Sequence, residues 1–300
     1  MIVSDLTPRA LRQQLRGTGL RLRTGPIVTH IRSRLDAVVD GISLHYAGHA
    51  VEDAAAFADF SVSVERPAGL RRWISPQVVF SVDGDASFAP LPGDQGFPML
   101  EWGLNWCVSS HCHQFLVVHA AVLERGGKAL LLPAPSGSGK STLCAALAFS
   151  GWRVLSDELA LLDPQHGYAV ALPRPISLKN ESIDLIRSFA PQATFGPVVH
   201  ETVKGNVAHL RAPPDAVARA DEPAFPAWLV SPRFSATAEA RLEPMPKARA
   251  FMGLVNSAFN YNVHGRSGFK ALTRLVDHAD CYEFSYHRLD DAVRIFDEFG

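Results

Sequence analysis

The most restrictive feature of this 300-residue chain is the run APSGSGKST at residues 134–142. An apolar, strand-like segment precedes the run, and residues 141–150 have helix-forming composition. A glycine-rich turn that joins a strand to a helix and ends in Lys-Ser is the pattern of a phosphate-binding loop, here with alanine in place of the first glycine. The sequence therefore predicts a nucleoside triphosphate site on an α/β scaffold.

The residue types within this run fit that chemistry. Gly137 and Gly139 allow backbone amides to turn toward phosphate oxygens, and Lys140 supplies a positive charge to the β- and γ-phosphates. A turn that served only to cap the helix would require neither glycine. Ser141 is expected to ligate Mg²⁺, so the predicted cofactors are ATP and Mg²⁺. The predicted nucleotide-binding residues are Ser136, Gly137, Ser138, Gly139, Lys140, Ser141 and Thr142.

An acidic pair, Asp157-Glu158, follows the next strand-like segment. A ten-residue helix carries the chain about 15 Å away from the loop, and five or six strand residues at about 3.3 Å each bring it back. An acidic side chain at that height can hold Mg²⁺ or accept a proton from an attacking hydroxyl. We therefore predict Ser141, Asp157 and Glu158 as metal ligands, the alternative being a solvated strand end.

His119 is predicted to lie beside the same loop. Gly126-Gly127 separates two apolar segments and indicates a β-hairpin. Pairing of residue 125 with residue 128 continues along the strands until His119 stands opposite Ala134. A histidine there can orient Asp157 or stabilise developing charge, although a structural role at a strand end is the alternative.

Three basic residues lie in proline- or glycine-containing segments beyond this core. Such loops can reach over a γ-phosphate and neutralise transition-state charge. The segment around Lys204 has the composition of a tight hairpin tip. The candidate substrate or phosphate contacts are Lys204, Arg174 and Lys179, with ordinary surface charge as the alternative.

The chain divides into two regions by composition. Residues 1–95 contain β-like stretches at 60–64 and 77–82, and residues 90–98 hold three prolines and two glycines. We predict a β-rich N-terminal accessory region over 1–95 and a phosphate-loop domain over 96–300. In the second region strands and helices alternate, which is typical of α/β or α+β proteins with a mixed sheet flanked by helices.

The composition of the chain limits the classes of partner that we expect. With 47% hydrophobic and 20% charged residues the chain can bury a sizeable core, and its net charge of −1 gives no basic excess for nucleic acid. No apolar run approaches the roughly 20 residues that span a bilayer, and the N-terminus does not resemble a secretory signal. The expected compartment is the cytoplasm, with neither nucleic-acid nor membrane partners.

The combination of His119-Ala120-Ala121, the phosphate loop and the segment GWRVLSDE at 151–158 resembles the catalytic domain of HPr kinase/phosphorylase, and more closely the HPr kinase-related proteins. The resemblance covers about residues 115–180. It implies a kinase core similar to phosphoenolpyruvate carboxykinase, with Asp157 as the catalytic base and His119 as its neighbour, beside Lys140. The bifunctional enzymes carry paired aspartates where this chain has Asp157-Glu158, so the resemblance does not extend to phosphorylase activity.

The resemblance implies an ATP- and Mg²⁺-dependent kinase that phosphorylates a serine of a protein or peptide, for example the product of a neighbouring biosynthetic gene. Two alternatives stay open at this point. The chain could be a nucleotide-binding regulatory or assembly module with weak or no kinase activity, or a kinase for a small molecule, because a phosphate loop recognises the donor and not the acceptor. The sequence also leaves the oligomeric state open, a homo-oligomer included.

Overall fold

The computed structural model describes residues 1–67, 76–135 and 137–299. Within them the chain is a mixed α/β protein with three sheets, of six, eight and three strands, flanked by helices. The fold class predicted from the sequence is confirmed. No helix in this part of the chain is long and apolar enough to cross a membrane.

The first sheet belongs to the N-terminal third of the chain. Its order is β1-β2-β3-β4-β5, with β6 also on β4, and helix α2 connects the parallel strands β2 and β3. The elements are α1 (Pro8–Arg16), β1 (Leu20–Thr24), β2 (Ile27–Ser33), α2 (Asp36–His45), β3 (Phe60–Glu65), β4 (Gln77–Val82), β5 (Asp85–Ala86) and β6 (Leu91–Pro92). Strands β3 and β4 match the predicted stretches, whereas the two helices were not predicted.

Helix α3 (Gly96–His111) packs on strands β3 and β4 of this sheet. The hydrophobic core beneath it continues onto the next sheet through Val117, Leu159 and Leu161. Helix α3 lies after the predicted domain boundary at residue 95, although its side chains belong to the hydrophobic core of the N-terminal region. The predicted domain boundary therefore stays a prediction.

The eight-stranded sheet carries the phosphate loop. Its order is β11-β10-β7-β8-β15-β17-β16, β9 also pairs with β7, and β8, β15 and β17 are parallel. Its strands are β7 (Leu116–Arg125), β8 (Lys128–Pro133), β9 (Arg153–Ser156), β10 (Leu159–Leu162), β11 (Ala169–Val170), β15 (Phe225–Phe234), β16 (Arg241–Pro244) and β17 (Asp280–Tyr286). Helices cover both faces, which explains the nearly continuous apolar runs in β7 and β8.

One face of this sheet packs against α4 (Lys140–Ala148) and α10 (Leu289–Asp297), with α5 (Glu181–Phe189) packed beside α4, and the other against α7 (Lys247–Ser257) and α9 (Arg266–His278). Two short helices, α6 (Pro214–Ala218) and α8 (Tyr261–His264), lie between these elements along the chain. The third sheet has the order β12-β14-β13 and packs beside α4. Its strands are β12 (Ile176–Lys179), β13 (Val199–Thr202) and β14 (Gly205–Leu210).

Candidate active site

The phosphate loop connects β8 to α4, and its two described glycines have left-handed backbone conformations. Gly137 has φ +86° and Gly139 has φ +87°, a region that other residues rarely adopt. The Tyr286 hydroxyl donates a hydrogen bond to the Gly139 carbonyl at 2.9 Å, and the Phe234 amide donates to the Ser138 carbonyl at 2.9 Å. The ends of β17 and β15 therefore hold the loop in place.

Ser136, predicted as a phosphate ligand, lies outside the described residues. Ser138 is half-buried, and its hydroxyl oxygen is sealed from solvent without a hydrogen-bond partner among the described residues. Ser141 and Thr142 occupy the first turn of α4, where backbone amides have no partner within the helix. This end of a helix favours anions.

Lys140 is the first residue of α4, and its side chain is buried. It is only 6% exposed, and its Nζ has no hydrogen-bond partner among the described residues. Burial lowers the pKa of Lys140, although the Asp157 and Glu158 carboxylates oppose the effect. An ammonium group held out of water without a hydrogen-bond acceptor fits a site for an anionic ligand.

Asp157 follows β9 and is buried, with 4% of its surface exposed. Its Oδ2 accepts a hydrogen bond from the Ser177 amide at 3.1 Å, whereas Oδ1 is buried without a partner among the described residues. Burial and the neighbouring Glu158 carboxylate raise the pKa of Asp157 to about 6, against the opposing charge of Lys140. The Ser141 hydroxyl also interacts with this carboxyl group. Asp157 is therefore suited to exchange a proton near neutral pH.

Glu158 is held by Asn105 of helix α3. The Asn105 Nδ2 donates a hydrogen bond to Glu158 Oε2 at 2.6 Å. Burial alone would raise the pKa of Glu158, but the positive charges of Lys204 and Lys140 outweigh it and lower the pKa. Two adjacent carboxyl groups thus have opposite pKa shifts, because burial dominates at Asp157 whereas nearby cations outweigh burial at Glu158.

The hairpin register predicted from Gly126-Gly127 is confirmed. Pairs run from Arg125 with Lys128 to Ala120 with Pro133, and one further step places His119 opposite Ala134. On its other side His119 pairs with Leu159 of β10. Burial and the Lys140 ammonium lower the pKa of His119 to about 4, so the imidazole is neutral near pH 7.

A cleft of about 890 Å³ opens at the phosphate loop. Most of the predicted site residues line it together, which sequence separation alone did not guarantee. The predicted residues in its lining are His119, Gly137, Gly139, Lys140, Ser141, Thr142, Glu158, Lys179 and Lys204. Asp157 lines instead a small cavity of about 20 Å³, which also includes Glu158, Ser177 and His209.

Two further grooves adjoin this cleft, and His119 lines all three. One, of about 550 Å³, includes Glu158 and Lys204, and the other, of about 460 Å³, includes Arg249. Phe259 lines both grooves and is 52% exposed. There is room beside the nucleotide cleft for a second, partly apolar ligand.

Lys204 lies at the tip of the hairpin between β13 and β14. Thr202 pairs with Gly205, which leaves Val203 and Lys204 as a two-residue turn, as the sequence predicted. The Lys204 Nζ stands 4.8 Å from the centre of the Trp102 ring. A cation–aromatic contact of this kind restrains the ammonium of Lys204, which lines the cleft.

Arg174, expected as a phosphate contact, has a different position in the structure. It is 7% exposed and forms an ion pair with Glu101, with 2.7 Å between Arg174 Nη2 and Glu101 Oε2. Its Nη1 donates to Asn105 Oδ1 at 2.8 Å. The guanidinium is committed to buried protein acceptors, so Arg174 supports the site from behind and does not line the nucleotide cleft.

Sequence reasoning missed Glu101 and Asn105, both on helix α3. They stand four positions apart in an apolar segment, so they share one helix face. A charged residue on an apolar helix face is seldom buried without a partner. That pattern was the available signal, although it could not identify Arg174 as the partner, 73 positions away from Glu101.

Parts of the chain are similar to known proteins. A family model described as SynChlorMet cassette protein ScmC matches residues 99–182, which include most of α3, the phosphate loop and Asp157. A solved HPr(Ser) kinase/phosphatase from Coxiella burnetii is similar over 61% of this chain and 96% of its own, with 11% identity and a TM-score of 0.25. None of the curated proteins matches the chain.

Proposed function

We propose that this chain is an ATP- and Mg²⁺-dependent kinase that transfers the γ-phosphate to a serine hydroxyl of a protein or peptide. The observation that carries the proposal is the buried pair of Lys140 and Asp157 at the phosphate loop. Each has a polar atom without a hydrogen-bond partner among the described residues. Nucleotide binding needs only the cation, whereas a carboxyl group with a pKa of about 6 beside it serves proton transfer.

In the proposed reaction Lys140 and the loop amides bind the β- and γ-phosphates. The Asp157 carboxylate accepts the proton of the acceptor hydroxyl while that oxygen forms a bond to the γ-phosphorus. The bond from phosphorus to the bridging oxygen breaks, ADP leaves, and Asp157 releases its proton to water. Neutral His119 stands beside the cleft as a hydrogen-bonding group that carries no charge to repel Lys140.

The residues present fit a bound Mg²⁺. Ser141, Asp157 and Glu158 offer only oxygen atoms, which is the donor set that Mg²⁺ prefers, and Asp157 Oδ1 is buried without a partner among the described residues. When bound, Mg²⁺ would neutralise negative charge on the β- and γ-phosphate oxygens. Lys179 and Lys204, which line the same cleft, would add positive charge around the transferred group.

The serine acceptor is the part of the proposal supported by the resemblance to HPr kinase-related proteins and by the two grooves beside His119. Two grooves that meet at His119 and Phe259 suit an extended chain better than a compact metabolite. Candidate acceptors include the protein products of neighbouring genes.

The first test replaces the proposed base. Asp157→Asn should retain ATP affinity within a few-fold, because Lys140 and the loop remain and the asparagine amide still offers Mg²⁺ an oxygen, and should reduce phosphate transfer about 10²- to 10⁴-fold. ATP affinity is measured by titration calorimetry, and transfer by incorporation of the γ-label from ATP into each candidate acceptor.

Asp163→Asn is the matched control. Asp163 follows β10 and accepts hydrogen bonds from the Gln165 and His166 amides, a role that asparagine can keep. The control should transfer at the wild-type rate. Transfer by Asp157→Asn within tenfold of wild type would refute Asp157 as the base, and ATP binding without transfer to any acceptor would refute the kinase proposal.

A further inference from the structure

A continuous set of hydrogen bonds connects the N-terminal region to Glu158. The Tyr46 hydroxyl, just after α2, donates to Glu101 Oε1 at 2.6 Å. Arg174 donates to Glu101 Oε2 at 2.7 Å and, through Nη1, to Asn105 Oδ1 at 2.8 Å. Asn105 donates to Glu158 Oε2 at 2.6 Å. We call Tyr46, Glu101, Arg174 and Asn105 the support network.

The chemistry of the support network fixes the orientation of its last member. Arg174 has only donors, so the Asn105 amide must direct its oxygen toward the guanidinium. Its NH₂ group then faces Glu158, which as a carboxylate only accepts. Aspartate at 105 would place two carboxyl groups together, and leucine would contact neither partner through a hydrogen bond. Among residues of this size, asparagine alone satisfies both neighbours.

Burial makes this arrangement rigid. Tyr46 is 0% exposed, Glu101 3% and Arg174 7%. A buried ion pair is retained only when its remaining donors and acceptors are satisfied, because the desolvation of both charges is costly. The Glu101 carbonyl accepts a further bond from Arg174 at 2.9 Å, which completes the pair.

The N-terminal region also holds the segment that carries Arg174. His49 is buried, and its Nε2 donates to the Pro173 carbonyl at 2.7 Å. Tyr46 and His49 rings stand 4.8 Å apart. Residues of the N-terminal third therefore fix the backbone before Arg174 as well as its side-chain partner.

We propose that Asn105, Arg174, Glu101 and Tyr46 are positioning residues that hold the Glu158 carboxylate in the orientation in which it engages Mg²⁺ with the nucleotide. This inference rests on the proposed function for the place of Mg²⁺, and it gives the N-terminal region a part in the site. Partners of metal ligands commonly alter metal affinity 10- to 100-fold when removed.

The test uses calorimetry to measure ATP affinity at a series of Mg²⁺ concentrations. Its readout is the Mg²⁺ concentration at which half of the Mg²⁺-dependent gain in ATP affinity is reached, and no phosphate transfer is required. Asn105→Leu should raise that concentration about tenfold. Glu158→Gln should raise it at least as much. The double variant should match Glu158→Gln alone, because Asn105 acts through Glu158. A wild-type value for Asn105→Leu, or a double variant that shows the product of both effects, would overturn the inference.

Tyr46→Phe is a milder variant that keeps the ring packing and removes the hydroxyl, which donates to Glu101 and accepts from Arg174 Nε at 3.4 Å. It should shift the Mg²⁺ requirement in the same direction by a smaller factor. If Asn105→Leu does not fold, Tyr46→Phe takes its place in the cycle with Glu158→Gln, and an unchanged value there overturns the inference. Tyr168→Phe is the control. It removes a hydroxyl that is hydrogen-bonded to Asp163 and should leave the Mg²⁺ requirement unchanged.

The outcomes separate this inference from the kinase proposal. A wild-type protein that binds ATP with Mg²⁺ but transfers nothing refutes the kinase proposal and leaves the Mg²⁺ shift to decide the inference. A protein that transfers phosphate normally while Asn105→Leu keeps the wild-type Mg²⁺ requirement refutes the inference alone. A wild type without Mg²⁺-dependent ATP binding refutes both.

Discussion

At the scale of single residues, the site is defined by two buried ionisable groups that lack full hydrogen bonding within the protein. Lys140 and Asp157 are each less than 7% exposed, and each has an unpaired polar atom among the described residues. Such groups reduce stability, because desolvation is not offset by a hydrogen bond. Their presence beside the phosphate loop therefore indicates selection for a reaction or a ligand and not for stability.

Lys140→Met tests this trade-off. Methionine keeps the apolar length of the side chain and removes the unpaired ammonium, so the free energy of unfolding should rise by about 1–3 kcal/mol. ATP binding should be lost, since the charge for the phosphates is gone. Chemical denaturation and calorimetry measure the two effects.

Lys270→Met, at an exposed position of α9, is the control and should change the free energy of unfolding by less than about 0.5 kcal/mol. A Lys140→Met protein less stable than wild type would show that the Asp157 and Glu158 charges already compensate the ammonium in the free protein.

At the scale of elements, the phosphate loop depends on the ends of its neighbouring strands. A Cβ atom added at Gly139 would stand 2.5 Å from the Tyr286 hydroxyl and 2.9 Å from the Phe234 Cβ. At Gly137, which has nearly the same φ, an added Cβ would meet no atom of the described residues within 4 Å. The two glycines therefore serve different purposes, one conformational and one both conformational and steric.

Substitution by alanine separates these purposes. Gly137→Ala should cost about 1–2 kcal/mol of stability through the left-handed backbone alone. Gly139→Ala should cost more, because β15 or β17 must also shift. The measurement is the midpoint of chemical denaturation of both variants in the absence of nucleotide. Equal losses would show that the contact with Tyr286 relaxes without cost.

The sequence predicted the elements around the site well, because short-range features specify them. The Gly126-Gly127 turn determines the β7–β8 register, and helix length plus strand length bring Asp157 back to the loop, where it interacts with Lys140 and Ser141. Helix α2 was missed for a tertiary reason. Its Gly41 lowers helix propensity, yet an added Cβ there would meet the Phe97 ring at 2.1 Å, so the glycine is needed for packing.

The position of Arg174 could not be predicted from local sequence for a related reason. Its partners, Tyr46 and Glu101, lie 128 and 73 positions away, and no periodic pattern encodes such pairs. Only the folded arrangement of three separate chain segments places them together.

At the scale of the whole molecule, buried histidines lie where the N-terminal region meets the third sheet. His45 of α2 and His209 of β14 have ring centroids 6.1 Å apart, and Phe97 contacts both rings. Burial and the proximity of His209 lower the pKa of His45 to about 4, and burial lowers the pKa of His209 to about 4. Both histidines are therefore neutral in the folded protein over most of the acidic range.

This predicts loss of stability on acidification. In the unfolded chain a histidine binds a proton near pH 6.5, whereas in the folded protein His45 and His209 bind one only near pH 4. The free energy of unfolding therefore has its full value above pH 6.5 and decreases as the pH falls toward 4. Each group contributes on the order of 3 kcal/mol at most. The raised pKa of Asp157 has the opposite effect on stability, but the lowered pKa values of His45, His119 and His209 outweigh it. The melting temperature should fall between pH 7.5 and pH 5.

His209→Phe should reduce the slope of melting temperature against pH, since phenylalanine can pack with Phe97 and does not titrate. His278→Gln removes an exposed histidine of α9 and should leave the slope unchanged. Equal melting temperatures of the wild type at pH 7.5 and pH 5 would contradict the expected proton uptake on unfolding.

The position of His119, where three separate openings meet, has a kinetic consequence. A nucleotide in the cleft would leave the groove that includes Arg249 open, because that groove shares only His119 and Pro135 with the cleft, so neither substrate needs to leave before the other enters. Under the proposed kinase reaction, nucleotide and acceptor would then bind in either order to form a ternary complex, and ADP could depart while the phosphorylated acceptor is still bound. Successive acceptors could equally be exchanged on a protein that keeps its nucleotide.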